Sequence, residues 1–158
     1  MPCLWGRHNN SQVFVALLVL DATNVAANPA NPLAGVTLSN PPLFTALVDT
    51  GAEKTMISPN VVTRLGLNPI GKIPILSSGG NIVHLDGYLF HIGFAVPSSP
   101  IGSPPGAAPQ PLLYTLAKPI WGAEIPYTGG SFDVLMGMDI ISTGSLKIEG
   151  DGTFSWSW

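Results

Sequence analysis

Sixteen prolines and eighteen glycines punctuate a chain of 158 residues so often that long helices are excluded. Proline removes a backbone donor and clashes inside a helix, while glycine weakens helix and strand interiors alike. Such a sequence folds most easily as many short strands joined by turns. The composition supports a packed core: 46% of residues are hydrophobic and 9% are charged. Disordered chains show the opposite balance. The expectation is therefore an all-β domain, large enough to bury its own core.

Charge narrows the partners. The formal net charge is −3, and the six Lys and Arg are scattered. There is no basic stripe for a phosphate backbone, so no nucleic-acid partner is expected. Cys3 is the single cysteine, which excludes an internal disulfide framework and favours a reducing, cytoplasmic compartment. Arg7, the apolar run Val13–Leu20 and the small residues Ala26 and Ala27 imitate a secretory signal, which leaves export as the alternative. That run is too short to span a bilayer, and its Val and Phe content suits a buried strand, so no stable membrane insertion is expected.

Along the chain, residues 1–11 read as an N-terminal tail and 12–158 as one domain. Gln12–Leu20 reads as a buried strand, and Asn24–Asn40, rich in Asn and Pro, as a loop with a weak strand near Gly35–Leu38. Leu43–Val48 is a continuous apolar run ending in Asp49-Thr50-Gly51, the pattern of a buried strand leading into a glycine turn. Met56–Ile57 resumes the apolar character. Ser58, Pro59 and Gly66 then mark the cap, first turn and end of a short helix with Val62 and Leu65 facing inward. Lys72–Leu76 and Ile82–Phe94 flank Ser77-Ser78-Gly79-Gly80 and predict a hairpin with a flexible tip. The segment Pro97–Pro111 carries six prolines and reads as an inserted loop. Leu112–Ala117 and Phe132–Met136 are strand-like, Asp139–Ser142 suits a helical turn, and Leu146 to Trp158 alternate as a terminal hairpin.

Two of these segments together resemble the retropepsin-like aspartic proteases. Leu47-Val48-Asp49-Thr50-Gly51-Ala52, followed by Thr55-Met56-Ile57, is similar to the active-site loop of that family. Asp133-Val134-Leu135-Met136-Gly137-Met138-Asp139 is similar to the segment that passes behind that loop. The Gly79-Gly80 hairpin stands where the family has its substrate-covering flap. Order and spacing agree over most of Gln12–Trp158.

The resemblance implies a retropepsin-like half-barrel with one or two short helices, active as a homodimer. It implies Asp49, Thr50 and Gly51 as catalytic residues, with Ala52, Glu53, Ser78, Gly79 and Gly80 contacting an extended peptide or protein substrate. No metal or other cofactor is implied. Only one Asp-Thr-Gly occurs, so a second copy of the chain would supply the second carboxylate. Two close carboxylates share a proton, one acting as base towards water while the other polarises the substrate carbonyl. The terminal strand Phe154–Trp158, otherwise an exposed aromatic edge, is expected at the dimer interface. Glu53 replaces an Asp usual in retroviral members, and Met138 replaces an Arg. These changes remove the Asp–Arg network that braces the retroviral dimer and make the chain more similar to bacterial and cellular members. The alternative reading is a retropepsin-fold module that binds peptides or dimerises without catalysis.

His84, Asp86 and His91 are a conceivable ligand set, but no further His or Cys cluster joins them. Metal binding is not expected.

Overall fold

The computed structural model describes residues 3–8, 12–23, 43–97, 111–116, 118–126 and 129–158. In chain order these form β1 (Cys3–Arg7), β2 (Val13–Asp21), β3 (Leu43–Val48), β4 (Met56–Ile57), α1 (Pro59–Leu65), β5 (Gly71–Leu76), β6 (Ile82–Pro97) and β7 (Pro111–Thr115). There follow β8 (Ile120–Glu124), β9 (Val134–Met136), α2 (Met138–Ile141), β10 (Ser145–Ile148) and β11 (Thr153–Ser157). The expected loop over Asn24–Asn40, its weak strand and the interior of the Pro97–Pro111 loop lie outside the described residues.

The sheet closes on itself. From Val13↔Val48 to Leu18↔Leu43, β2 runs antiparallel to β3, and from Leu17↔Phe94 to Asp21↔Phe90 it runs antiparallel to β6. Between these sides, β3 pairs with β9, β9 with β4, β4 with β8 and β8 with β6. The result is a barrel-like ring with β5 and β7 attached to β6. Leu17, Val19, Phe44, Ala46, Ile57, Phe90, Ile92 and Val134 fill its interior, each 2% exposed or less. Leu18, on the opposite face of β2, is also fully buried. Cover on both faces explains why this strand reads as an unbroken apolar run rather than an alternation.

Sequence signals place α1 closely. Ser58 caps it in an extended conformation, its Oγ accepting from Val61 N at 3.4 Å, and Pro59 occupies the first turn. Gly66 ends it with φ 63°, ψ 34°, where L side chains are disfavoured. The inward face differs from expectation. Val61 is fully buried, whereas Val62 and Leu65 are partly buried beside it, because this short helix rests on the barrel along the edge that Val61 leads.

A second, three-stranded sheet joins the two ends of the chain in the order β1-β11-β10. Cys3–Arg7, in the segment expected to be a tail, is thus a strand, in register from Cys3↔Ser157 to Arg7↔Thr153. Its sequence, CLWGR, alternates too weakly to announce itself. Gly6 is needed there, since a Cβ would lie 2.8 Å from the Phe154 ring.

Phe154–Trp158, expected at a dimer interface because it would otherwise be an exposed edge, is covered within its own chain. β11 sits between two neighbours, with Phe154 5% and Trp156 2% exposed. Trp156 stacks on Trp158 at 4.6 Å and meets Phe94 edge-on at 4.9 Å, so the aromatic face is spent on the chain's own core.

Candidate functional site

β3 delivers Asp49 to the end of the barrel. The Asp49 amide donates to Met136 O at 3.0 Å, continuing the parallel β3–β9 pairing by one residue. The chain then turns sharply, with Ala52 N donating to Asp49 O at 3.2 Å. Inside that turn Gly51 N donates to Asp49 Oδ1 at 2.9 Å. A Cβ on Gly51 would sit 3.2 Å from the same oxygen, closer than an ordinary contact. Asp49 is half-buried, while Thr50 and Gly51 are exposed. Its carboxylate therefore receives a backbone amide hydrogen bond and stands at the surface of this chain.

Behind the loop, β9 threads between β3 and β4, parallel to the first and antiparallel to the second. Gly137 then passes so close to the Lys54–Thr55 peptide that a Cβ would lie 2.6 Å from Lys54 C and 2.9 Å from Thr55 N. Met138 N donates to Ala52 O at 2.8 Å and Asp139 N to Glu53 O at 3.3 Å, which pins the loop from α2.

Side chains complete the brace. Gly137 N donates to Thr55 Oγ1 at 3.1 Å, and Thr55 Oγ1 donates to Asp139 Oδ1 at 2.6 Å. The Thr55 amide points at both Asp139 oxygens, at 3.0 and 3.1 Å. Thr55 is fully buried, so this carboxylate satisfies two donors that water cannot reach. Near α1, Ser58 N donates to Asp133 O at 2.7 Å, and Asn60 Nδ2 donates to Asp133 Oδ1 at 2.9 Å. These roles of Thr55, Asp133 and Asp139 went unread in the sequence. The available signal was their position: Asp133 begins the apolar β9 run, and Asp139 follows Gly137 by two residues.

A groove of about 620 Å³ opens beside Asp49. Gly51, Ala52, Glu53 and Lys54 border it on the loop side, and Ile75, Ser77, Ser78 and Val83 of the β5–β6 hairpin border it opposite. Met56, Leu85, Ile125 and Leu135 make its remaining wall largely apolar. Of the residues expected to act together, Asp49, Gly51, Ala52, Glu53 and Ser78 converge on this groove. Thr50 is exposed and does not border it, and Gly79 and Gly80 lie at the exposed hairpin tip beyond it. That tip is closed by Ser77 N to Asn81 O and Gly80 N to Ser77 O, both 2.9 Å, with Gly80 at φ 79°.

The conceivable ligand set does not converge. Asp86 pairs with Lys72 at 2.8 Å, His84 is exposed on the same strand, and His91 is buried with Nδ1 3.3 Å from Leu116 O.

Comparison with known proteins agrees with this geometry. Residues 34–92 match the family described as Aspartyl protease. No curated protein matches the chain. Among solved structures, a retropepsin-like aspartic protease from Rickettsia conorii is similar, with a TM-score of 0.55 and 13% sequence identity, over 98% of this chain and 90% of that one. The retropepsin-like fold expected from the two motifs is the fold found.

Proposed function

We propose that this chain, retropepsin-like in fold and with Asp49 in an aspartyl-protease loop, hydrolyses peptide bonds as a homodimer with two Asp49 carboxylates at its axis. The observation that carries the proposal is a half-buried carboxylate held by Gly51 N–H at the mouth of a largely apolar groove. Asp49 is half-buried and Thr50 exposed, which supports a reading in which a two-fold mate reaches them. Among the described residues β1 and β10 are the edges of the terminal sheet, and sheet edges are the kind of surface that strands of two subunits share.

The chemistry follows from the pair. One carboxylate of the dyad is ionised and the other holds the shared proton. The ionised member takes a proton from a water lying between them as the oxygen attacks the substrate carbonyl. The protonated member donates to the carbonyl oxygen, giving a tetrahedral diol. Transfer of a proton to the amide nitrogen and cleavage of the C–N bond release an amine and a carboxylic acid. Thr50 would brace the paired loops across the axis. The substrate lies extended in the groove, held by main-chain hydrogen bonds and by alternate side chains in apolar pockets. The β5–β6 hairpin acts as the flap, with Ser78, Gly79 and Gly80 closing over the substrate to exclude water. Localisation is proposed as cytoplasmic, since removal of Val13–Leu20 as a leader would strip β2 from the barrel.

The test is hydrolysis of denatured casein or a peptide library at mildly acidic pH, alongside sedimentation over a concentration series. Cleavage should be abolished by Asp49→Asn and by pepstatin, and should rise with the dimer fraction. An intact substrate in the presence of a proven dimer would leave a non-catalytic peptide-binding module. Cleavage by a persistent monomer would refute the shared site.

A further inference from the structure

We infer that a second cavity, at the root of the β5–β6 hairpin, is a subsite for a basic side chain of the bound polypeptide. The inference rests on the groove being a substrate site, as proposed above. This cavity measures about 390 Å³, at the small end for ligand pockets and suited to one long side chain. Leu85, Ile125 and Pro126 border both it and the groove beside Asp49, so the two spaces share a wall. A chain lying extended in the groove can reach over that wall with a flexible side chain.

The charges at its rim select the ligand. Lys72 and Asp86 pair with each other at 2.8 Å, leaving Glu124 as the remaining carboxylate of the lining, beside the imidazole of His84. Glu124 is held from behind: Tyr88, only 4% exposed, donates its phenolic hydrogen to Oε2 at 2.7 Å. Burial, that hydrogen bond and repulsion from Glu124 and Asp86 push the Tyr88 phenol well up, so it stays protonated and remains a donor. One phenol occupies one of about four acceptor sites on a carboxylate, which leaves Glu124 able to take a charged donor. A lysine or arginine fits both halves of the cavity. Its alkyl stem packs on Leu85, Ile125 and Pro126, and its cationic head meets Glu124. Acidic side chains are disfavoured, because two carboxylates face one lysine already engaged.

The experiment uses fluorogenic peptides in which arginine, norleucine or glutamate is scanned through each position. At one position arginine should exceed norleucine about fivefold in kcat/KM, through KM, a magnitude at the upper end for an ion pair at a partly exposed site. The arginine-to-norleucine ratio should fall to about one in Glu124→Gln. Both peptides are read on the same protein, so a loss of folded enzyme cancels from the ratio. Equal rates at every position, or an arginine preference that survives Glu124→Gln, would overturn the subsite.

A binding arm separates this failure from failure of the proteolytic reading. Asp49→Asn protein is titrated with the arginine peptide, the norleucine peptide and N-acetyl-argininamide, followed by amide chemical shifts. Shifts around Lys72, His84 and Glu124 with the arginine peptide alone support the subsite even if nothing is cleaved. Equal shifts with N-acetyl-argininamide would assign the cavity to a free ligand instead and overturn its link to the substrate.

Discussion

Removing the Asp139 carboxylate tests how the Asp49 loop is held. Thr55 is fully buried and spends two donors on Asp139, its amide at 3.0 and 3.1 Å and its hydroxyl at 2.6 Å. The two amide distances describe one shared hydrogen, so Asp139→Ala deletes two charge-assisted bonds. Each contributes about 1.5–3 kcal/mol, and the partial exposure of Asp139 favours the lower end, giving a loss of about 3 kcal/mol. Asp139→Asn keeps an acceptor for the hydroxyl and should lose about half as much. Thr55→Val removes the hydroxyl and strands the buried Gly137 amide that donates to it at 3.1 Å, at a cost of about 2 kcal/mol. The double variant should lose at least 1 kcal/mol less than the sum, since both singles break the same 2.6 Å bond. Urea unfolding gives the stabilities, and the proposed peptide hydrolysis should lose kcat, because a loosened loop misplaces Asp49. Additive losses, or an Asp139→Ala protein as stable as wild type, would show that the brace carries no energy and refute the argument.

Gly137→Ala should destabilise the fold by about 3 kcal/mol or abolish it, because its Cβ meets backbone atoms of Lys54 and Thr55 at 2.6–2.9 Å that no rotamer change can move; thermal melting of the variant checks this. The raised Tyr88 phenol gives a stability loss in alkali. Below an unfolded-state value of about 10 both states hold the proton, whereas above it only the folded state does, so stability falls as pH rises. Urea titrations between pH 9 and 11 should show a steeper decline for wild type than for Tyr88→Phe; parallel curves would refute the assignment.

What the sequence made legible was whatever one local pattern encodes. Leu43–Val48, Met56–Ile57 and the Ser58-Pro59…Gly66 helix are found with the expected bounds, because an apolar run or a cap pair carries its own signal. The pairing of Leu146 with Trp156 and Ile148 with Phe154 likewise follows from two alternating runs around Gly150-Asp151-Gly152. β1 and β8 were illegible. Cys3–Arg7 holds an exposed Trp5 and a glycine chosen for the Phe154 ring. Ile120–Glu124 is interrupted by Gly122, whose missing Cβ leaves room for Thr55 O at 2.6 Å and Phe90 Cζ at 2.7 Å. Both strands are set by what packs on them, which no local window contains. The site divides the same way. Asp49 and Gly51 are written in the motif, while the Asp139–Thr55 brace joins residues 84 positions apart.

β6 pairs in turn with β5, β8, β2 and β7 along a single run of sixteen residues. At about 3.3 Å per residue, the span from Ile82 to Phe94 is a beam of roughly 40 Å. One end carries the hairpin over the groove, and the other bears on Trp156 and Trp158 through Phe94. Gly87, bonded across to both Gly71 and Ala123, is the fulcrum where the overhang leaves the barrel wall. A load on the overhang is thus carried along the covalent chain of β6 to Phe94, and by the packing of that ring on Trp156 and Trp158 into the sheet that joins the two termini, so the stiffness of one end is set by how firmly the other is anchored.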